Sequence, residues 1–89
     1  MNNKVAILLV NWNGYNLTRE CIESLLSITY NNFQIYVVDN GSTDGSYERL
    51  KTEFPNIALI RSNRNLGFSG GNNLGIKTMS STPFFKTRF

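Results

Sequence analysis

The chain has 89 residues, 40% hydrophobic and 17% charged, enough for one small globular domain and too few for two. Its net charge of +3 comes from scattered Lys and Arg with no basic run, so neither a nucleic-acid surface nor a polybasic membrane patch is expected. The longest apolar run, Val5 to Val10, is far short of the ~18 residues of a membrane span, and a lone Cys21 without any His excludes an internal disulfide and a Cys/His zinc site and makes a reducing, cytoplasmic setting the expectation.

Lys4 to Val10, apolar throughout from Val5, reads as a strand buried on both faces, the kind found in parallel sheets. "NWNGYN" follows as a loop. From Leu17 to Ile28 the apolar residues Leu17, Cys21, Ile22, Leu25, Leu26 and Ile28 recur at helical spacing, with Asn16 as N-cap and Cys21 on the core face. After the turn "YNNF", Gln34 to Val38 is a second buried strand that ends at Asp39. Asp44 is placed to cap a short helix running to Phe54, whose Tyr47, Leu50 and Phe54 share a face, and Pro55 stops it. Ile57 to Ile60 is a third strand. "RSNRNLGFSGGNNLG" reads as a long Gly/Asn loop, with a weak helix from about Asn72 to Met79. The order β-α-β-α-β-loop-α predicts right-handed crossovers and a parallel sheet covered on both sides, a Rossmann-like three-layer α/β/α arrangement.

In an open sheet of this kind ligands bind beyond the carboxyl ends of the strands. Three loops leave those ends: Asn11–Asn16, Asp39–Asp44 and Arg61–Asn73. All are rich in Asn, Gly, Ser and Asp. Asn occurs 13 times in the chain, so an Asn carries weight only when its spacing to Gly or Asp fits a motif. No G-x-G-x-x-G follows the first strand and no P-loop is present, which argues against an NAD site and an ATPase. Trp12 in a loop between two Asn reads as a ligand contact before a rim aromatic. Asp39 reads as a ligand contact before a turn-forming residue, and Asp44 as a cap before a ligand contact. Gly67, Gly70 and Gly71 supply positive φ angles, close approach to phosphate, or both. Two rival classes remain at this level. One is a non-catalytic nucleotide- or anion-binding module. The other is a regulatory domain with Asp39 as phosphoacceptor, disfavoured because Asn11 and Asn13 stand where acids would be needed.

"VAILLVNWNGYNLTRECIESLLSITYNNFQIYVVDNGSTDGS" followed by "NRNLGFSGGNNLGI" resembles the start of a family 2 glycosyltransferase of GT-A fold. It is most similar to the branch of rhamnosyl- and galactofuranosyltransferases. The resemblance covers roughly residues 4 to 77. It divides the chain into 1–77, a nucleotide-sugar-binding half, and 78–89, an atypical tail expected to be truncated or altered. It implies a dTDP- or UDP-linked sugar as donor. Asn11, Trp12 and Asn13 match the loop that cups the base, and stacking on an indole there would contribute ~1–3 kcal/mol. Asp39 and Asn40 match an acid pair that binds base or ribose, with Asn40 a departure that offers a donor as well as an acceptor. Asn65, Gly67, Asn73 and Gly75 match a motif near the diphosphate. Many relatives carry Arg at the position of Asn72, and Arg61 and Arg64 are the nearby cations.

The resemblance also implies Mg or Mn in a full-length parent, held by an Asp-x-Asp motif, and a carboxylate base. The last acid in this chain is Glu53, so neither a cofactor nor a catalytic residue is assigned to it, and the fragment alone is expected to be inactive. In the GT-A arrangement the strand order is three, two, one, four. A missing fourth strand would leave the first strand's edge open, which makes a homodimer through that edge the expected assembly. Attachment to a membrane surface would belong to the rest of the parent.

Overall fold

The structure is a computed structural model that describes residues 5–28 and 32–79. Residues 1–4, residues 29–31, which include the first half of the expected turn "YNNF", and the tail from residue 80 lie outside the described residues. Six elements follow in chain order: β1 (Val5–Asn11), α1 (Tyr15–Leu26), β2 (Phe33–Asn40), α2 (Ser46–Glu53), β3 (Ala58–Ser62) and α3 (Gly67–Met79). The three strands form one parallel sheet in the order β1-β2-β3. α1 and α2 pack together on one face of the sheet and α3 lies on the other, against β1 and β2. This is the Rossmann-like α/β architecture of the N-terminal part of a GT-A domain.

β2 is the strand buried on both faces, because it alone has neighbours on each side and helices above and below. Ile35 and Val37 join Ile22 of α1 and Leu50 of α2 in one core, with Leu9 and Leu59 against it. Tyr36 and Val38 face the other way and are also buried, as is Met79 of α3. The expectation that β1 is buried on both faces is corrected. Its residues 6–10 are half-buried and Val5 is exposed, since among the described residues β1 pairs only with β2.

Side-chain alternation then sends consecutive residues at the end of β2 to opposite faces. Asp39 continues the Ile35–Val37 side toward α1, and Asn40 continues the Tyr36–Val38 side toward α3. The register places Asn11 beside Asp39 and Ser62 beside Asn40, so the three strands end level with one another.

Two helices differ from the sequence expectation. α1 begins at Tyr15, and Gly14, not Asn16, is its N-cap residue. Its buried side runs through Thr18 and Ile22, flanked by half-buried Tyr15 and Leu25. Leu17 and Cys21 fall on the outer side, Leu17 being 76% exposed, and Ile28, expected in the helix, lies exposed beyond its end. The apolar residues of α1 form two stripes, so hydrophobicity alone leaves the helix's rotation open. Polar anchors fix it: the Thr18 hydroxyl donates to Asn11 Oδ1 (2.6 Å), and the Tyr15 hydroxyl donates to Glu53 of α2.

α3 starts at Gly67, five residues before the expected helix, within what read as a loop. Each interior glycine costs a helix about 0.8–1 kcal/mol relative to Ala. The compensation is closeness. Gly71 and Gly75 lie one turn apart and face the sheet. A Cβ at Gly75 would sit 2.6 Å from Leu8 Cδ1 and 3.0 Å from Val38 Cγ2, and one at Gly71 would sit 3.0 Å from Val10 Cγ1. The glycines let α3 lie directly on the side chains of β1 and β2.

Candidate nucleotide site at the strand ends

The carboxyl ends of β1 and β2 carry a buried polar network. Asn11 Nδ2 donates to Asp39 Oδ1 (2.9 Å) and to Ser42 Oγ (3.2 Å). The Ser42 hydroxyl donates to Asp39 Oδ1 (2.7 Å), and the Ser42 backbone N–H donates to Asp39 Oδ2 (3.1 Å). Asn13 ties the first loop to the second in both directions. Its N–H donates to Ser42 Oγ (2.9 Å) and its Oδ1 accepts from the Thr43 N–H (2.8 Å). Asn13 itself adopts a left-handed backbone, φ 47°, a conformation that Asn tolerates better than most residues. Asn11, Asp39 and Ser42 are all buried, and Asp39 is wholly closed to solvent.

Asp39 therefore differs from the expected carboxylate free to face the crevice. Its two oxygens are committed to Asn11 and Ser42, and its position fastens the loops after β1 and β2 to each other. Sequence reasoning did not single out Thr18 and Ser42 as members of this network. Each left a faint signal. Thr18 is a polar residue on the buried stripe of α1, seven positions after Asn11. Ser42 follows Asp39 by three, the spacing at which an aspartate accepts from the backbone of its own turn.

A second set of bonds forms on the opposite side of the sheet. Asn40 Nδ2 donates to the Gly67 carbonyl (2.9 Å) and to Asn65 Oδ1 (3.2 Å), while its Oδ1 accepts from the Leu66 N–H (2.9 Å). Asn65 Oδ1 also accepts from the Gly67 N–H (2.7 Å), which closes a turn at the start of α3. Gly41, with φ 78°, lets this segment cross close to the end of β2. A Cβ there would lie 2.4 Å from the Arg64 carbonyl carbon.

Asn11, Asn13, Asp39, Asn40, Asn65 and Gly67 are thus brought together around one ledge. Trp12 sits on the same ledge, in the β1 loop between Asn11 and Asn13, and is 53% exposed. Asn73 is not brought in. It is two residues, about 200° of helix, from the sheet-facing Gly71 and is exposed on the outer side of α3. Gly75 packs against the sheet and lines no crevice. The two candidate cations separate as well. Arg61 is held by Glu48 (3.3 Å) and stacks over Tyr47, along the outer side of β3. Arg64 is exposed on the ledge and makes no ion pair among the described residues.

Asp44 stands apart from the network. Its carboxylate accepts from the Ser46 N–H (2.9 Å) and the Ser46 hydroxyl, which holds its pKa below the usual carboxylate value. Gly45, φ 84°, takes the N-cap position of α2, so Asp44 serves the helix start from one residue further out than expected.

The metal implied for a parent enzyme does not fit these residues. Among the described residues no three acids, thiols or imidazoles converge, and Asp39 spends both oxygens on protein donors. A cavity of about 260 Å³ lies at the other end of the sheet, among Leu26, Phe33, Phe54 and Ile57, away from the ledge.

Comparison with known proteins agrees with this fold. The family described as "Glycosyl transferase family 2" matches residues 6–84. Glycosyltransferase GlyA of Streptococcus pneumoniae is 34% identical over 82 residues, 90% of this chain and 12% of the relative. An uncharacterized glycosyltransferase of Rickettsia felis is 36% identical over 81 residues, 90% of this chain and 14% of the relative. The uncharacterized glycosyltransferase YibD of Escherichia coli is 32% identical over 78 residues, 84% of this chain and 22% of the relative. The chain therefore spans about an eighth to a quarter of the length of such relatives. No described helix is long and apolar enough to cross a membrane. With three parallel strands, a polar ledge at their carboxyl ends and a family match over most of its length, the chain belongs to glycosyltransferase family 2.

Proposed function

We propose that this chain forms the donor-nucleotide side of a sugar transferase and binds the nucleoside diphosphate part of an activated sugar, dTDP- or UDP-linked. The observation that carries the reading is an exposed indole, Trp12, carried between Asn11 and Asn13, whose bonds lock the polar ledge at the carboxyl ends of β1 and β2. A base stacked on that indole gains contact area that is indifferent to which base it is. The Asn13 amide N–H₂ is left for the base or ribose, because only its Oδ1 and backbone are spent on the second loop. Arg64, exposed in the loop between β3 and α3, is the cation proposed for the diphosphate. In this reading Asp39 and Asn11 shape the ledge and do not touch the ligand.

Transfer itself needs a group to take the acceptor's proton and charge to neutralise the departing diphosphate. The described residues offer neither at the ledge, so this chain alone is proposed to bind without turnover. The sugar-bearing donor should then bind no better than the bare nucleotide. A second copy paired along the outer edge of β1 is the proposed assembly, and sedimentation across a concentration series tests it.

The sole tryptophan provides the binding assay. Titration with thymidine or uridine diphosphate should quench or shift its fluorescence and move the amide resonances of residues 11–13 and 64–67. Saturating additions of both nucleotides that leave the fluorescence and those resonances unmoved would refute the proposal. The rival reading, an anion-binding module, predicts instead that inorganic diphosphate competes as well as the nucleotide does and that Trp12 does not respond.

A further inference from the structure

We infer that Asn40 is a positioning residue: its side-chain amide, in a place where a carboxylate would fail, holds residues 65–67 at the end of β2 and so sets the α3 side of the ledge. The inference rests on the proposed nucleotide reading for its functional consequence, and on the bonds of Asn40 alone for its structural one. Asn40 is 2% exposed and uses both ends of its amide. The donating end meets the Gly67 carbonyl at 2.9 Å and Asn65 Oδ1 at 3.2 Å. The accepting end takes the Leu66 N–H at 2.9 Å. A carboxylate has no donor, so it would keep the Leu66 bond and turn an oxygen toward two other oxygens.

The side chain has no room to escape that clash. A Cβ on Gly71 would stand 3.1 Å from Asn40 Nδ2, which means α3 already lies against the amide. The segment it holds depends on being held. Gly67 has a left-handed backbone, φ 77°, and Leu66 and Asn65 beside it are exposed, so no core packing fixes them. Other titratable groups leave this pocket undisturbed. Asp39 points through the opposite face of the sheet, Ser62 on β3 and Gly71 on α3 do not titrate, and Arg64 in the loop is exposed. The amide at position 40 thus needs no particular nucleobase to account for it. Its donor is already spent within the protein.

The test is Asn40→Asp, an isostere whose donor can be switched on by acid. At about pH 7.5 the introduced carboxyl is ionised, and nucleoside diphosphate should bind about tenfold more weakly than to wild type, with faster amide exchange confined to residues 66–70. Burial and the two facing oxygens raise the pKa of the introduced group above the ordinary ~3.9. The penalty is therefore complete above that raised value and vanishes as pH falls toward the unfolded-state value. At about pH 4.5 its O–H can donate to the Gly67 carbonyl, and the exchange ratio of variant to wild type should return toward one. Asn40→Ala should show the loss without the reversal.

Unchanged nucleotide affinity and unchanged exchange in Asn40→Asp at neutral pH would overturn the inference. So would a defect that acid does not reverse. If the variant is unfolded at neutral pH, recovery of structure on acidification supports the role and failure to recover overturns it. Should wild type bind no nucleotide, the donor-site reading falls, and the exchange pattern still decides the role of Asn40.

Discussion

Replacing Asp39 by Ala should unfold this domain more readily than it should weaken a folded nucleotide site. The carboxylate receives three hydrogen bonds, from Asn11 Nδ2, the Ser42 hydroxyl and the Ser42 N–H, in a position with no solvent access. Hydrogen bonds to a charged group contribute about 1.5–3 kcal/mol each, and each buried donor left without a partner costs about 1–3 kcal/mol. The losses are not all realised. Asn11 Nδ2 keeps Ser42 Oγ at 3.2 Å, and the Ser42 hydroxyl still accepts from the Asn13 N–H at 2.9 Å. The groups stranded outright are the Ser42 N–H and the Ser42 O–H, which keeps its accepted bonds and loses its acceptor. A net cost of about 3–5 kcal/mol follows, a large share of the roughly 5–15 kcal/mol that holds most small domains folded. For a chain of this size each kcal/mol lowers the melting temperature by roughly 4–8 °C, so Asp39→Ala should melt at least about 12 °C below wild type. Thermal and urea unfolding followed by far-ultraviolet circular dichroism measure this directly. A variant that melts within about 4 °C of wild type while losing nucleotide binding would show that Asp39 faces the ligand, and would refute the argument from burial.

Gly41→Ala should be poorly tolerated, because its Cβ would meet the Arg64 backbone at 2.4 Å and its φ is 78°, whereas Gly45→Ala has the left-handed strain without the collision and should cost less in the same urea titration. Asp44 has a lowered pKa because Ser46 donates to it, so its contribution is present above the unfolded value of 3.8 and is lost as pH falls through the lower folded value; the Asp44 carboxyl carbon shift and Ser46 amide exchange followed below about pH 4 should report it. Arg64→Ala should weaken nucleoside diphosphate binding about three- to tenfold with little effect on the nucleoside, while Arg61→Ala, removing a side chain held by Glu48 and Tyr47, should leave both unchanged in calorimetric titration.

Much of the fold could be read from the chain. The apolar runs ending in polar residues marked all three strands, and the alternation of strand and helix implied parallel pairing, while the order β1-β2-β3 was implied by the family resemblance. The rotation of α1 could not be read, because Leu17, Cys21 and Ile28 make as good an apolar stripe as Thr18, Ile22 and Leu25. What decides between them is a hydroxyl-to-amide bond from Thr18 to Asn11, and hydropathy carries no record of it. α3 was obscured for a related reason. Glycine lowers helix propensity wherever it occurs, and only the close approach of Leu8 and Val38 reveals why Gly75 belongs there. At the ledge, position along the chain located Asn11, Asp39 and Asn40 correctly at strand ends. Their division between the two faces of the sheet follows from alternation. That Asn11 engages Asp39, and Asn40 engages residues 65–67, follows from contacts between distant segments that spacing along the chain does not record.

The bonds that shape the ledge join residues far apart in the chain. Asn11 reaches Asp39 across 28 positions and Ser42 across 31, and Asn40 reaches Gly67 across 27. Each closes a loop that the unfolded chain must pay for in entropy, and the payment comes back only once β1, β2 and the start of α3 are together. No single βα unit can preform this surface. A partly folded chain would present Trp12 and Asn13 on a loose loop with nothing behind them, so nucleotide should distinguish folded from unfolded chains almost without intermediates. Ligand then acts on the whole molecule: at a hundred times its dissociation constant it would add about 2.7 kcal/mol to the stability of the domain. For a chain this short that binds donor as proposed, donor concentration would be one of the quantities that determines how much of it is folded at all.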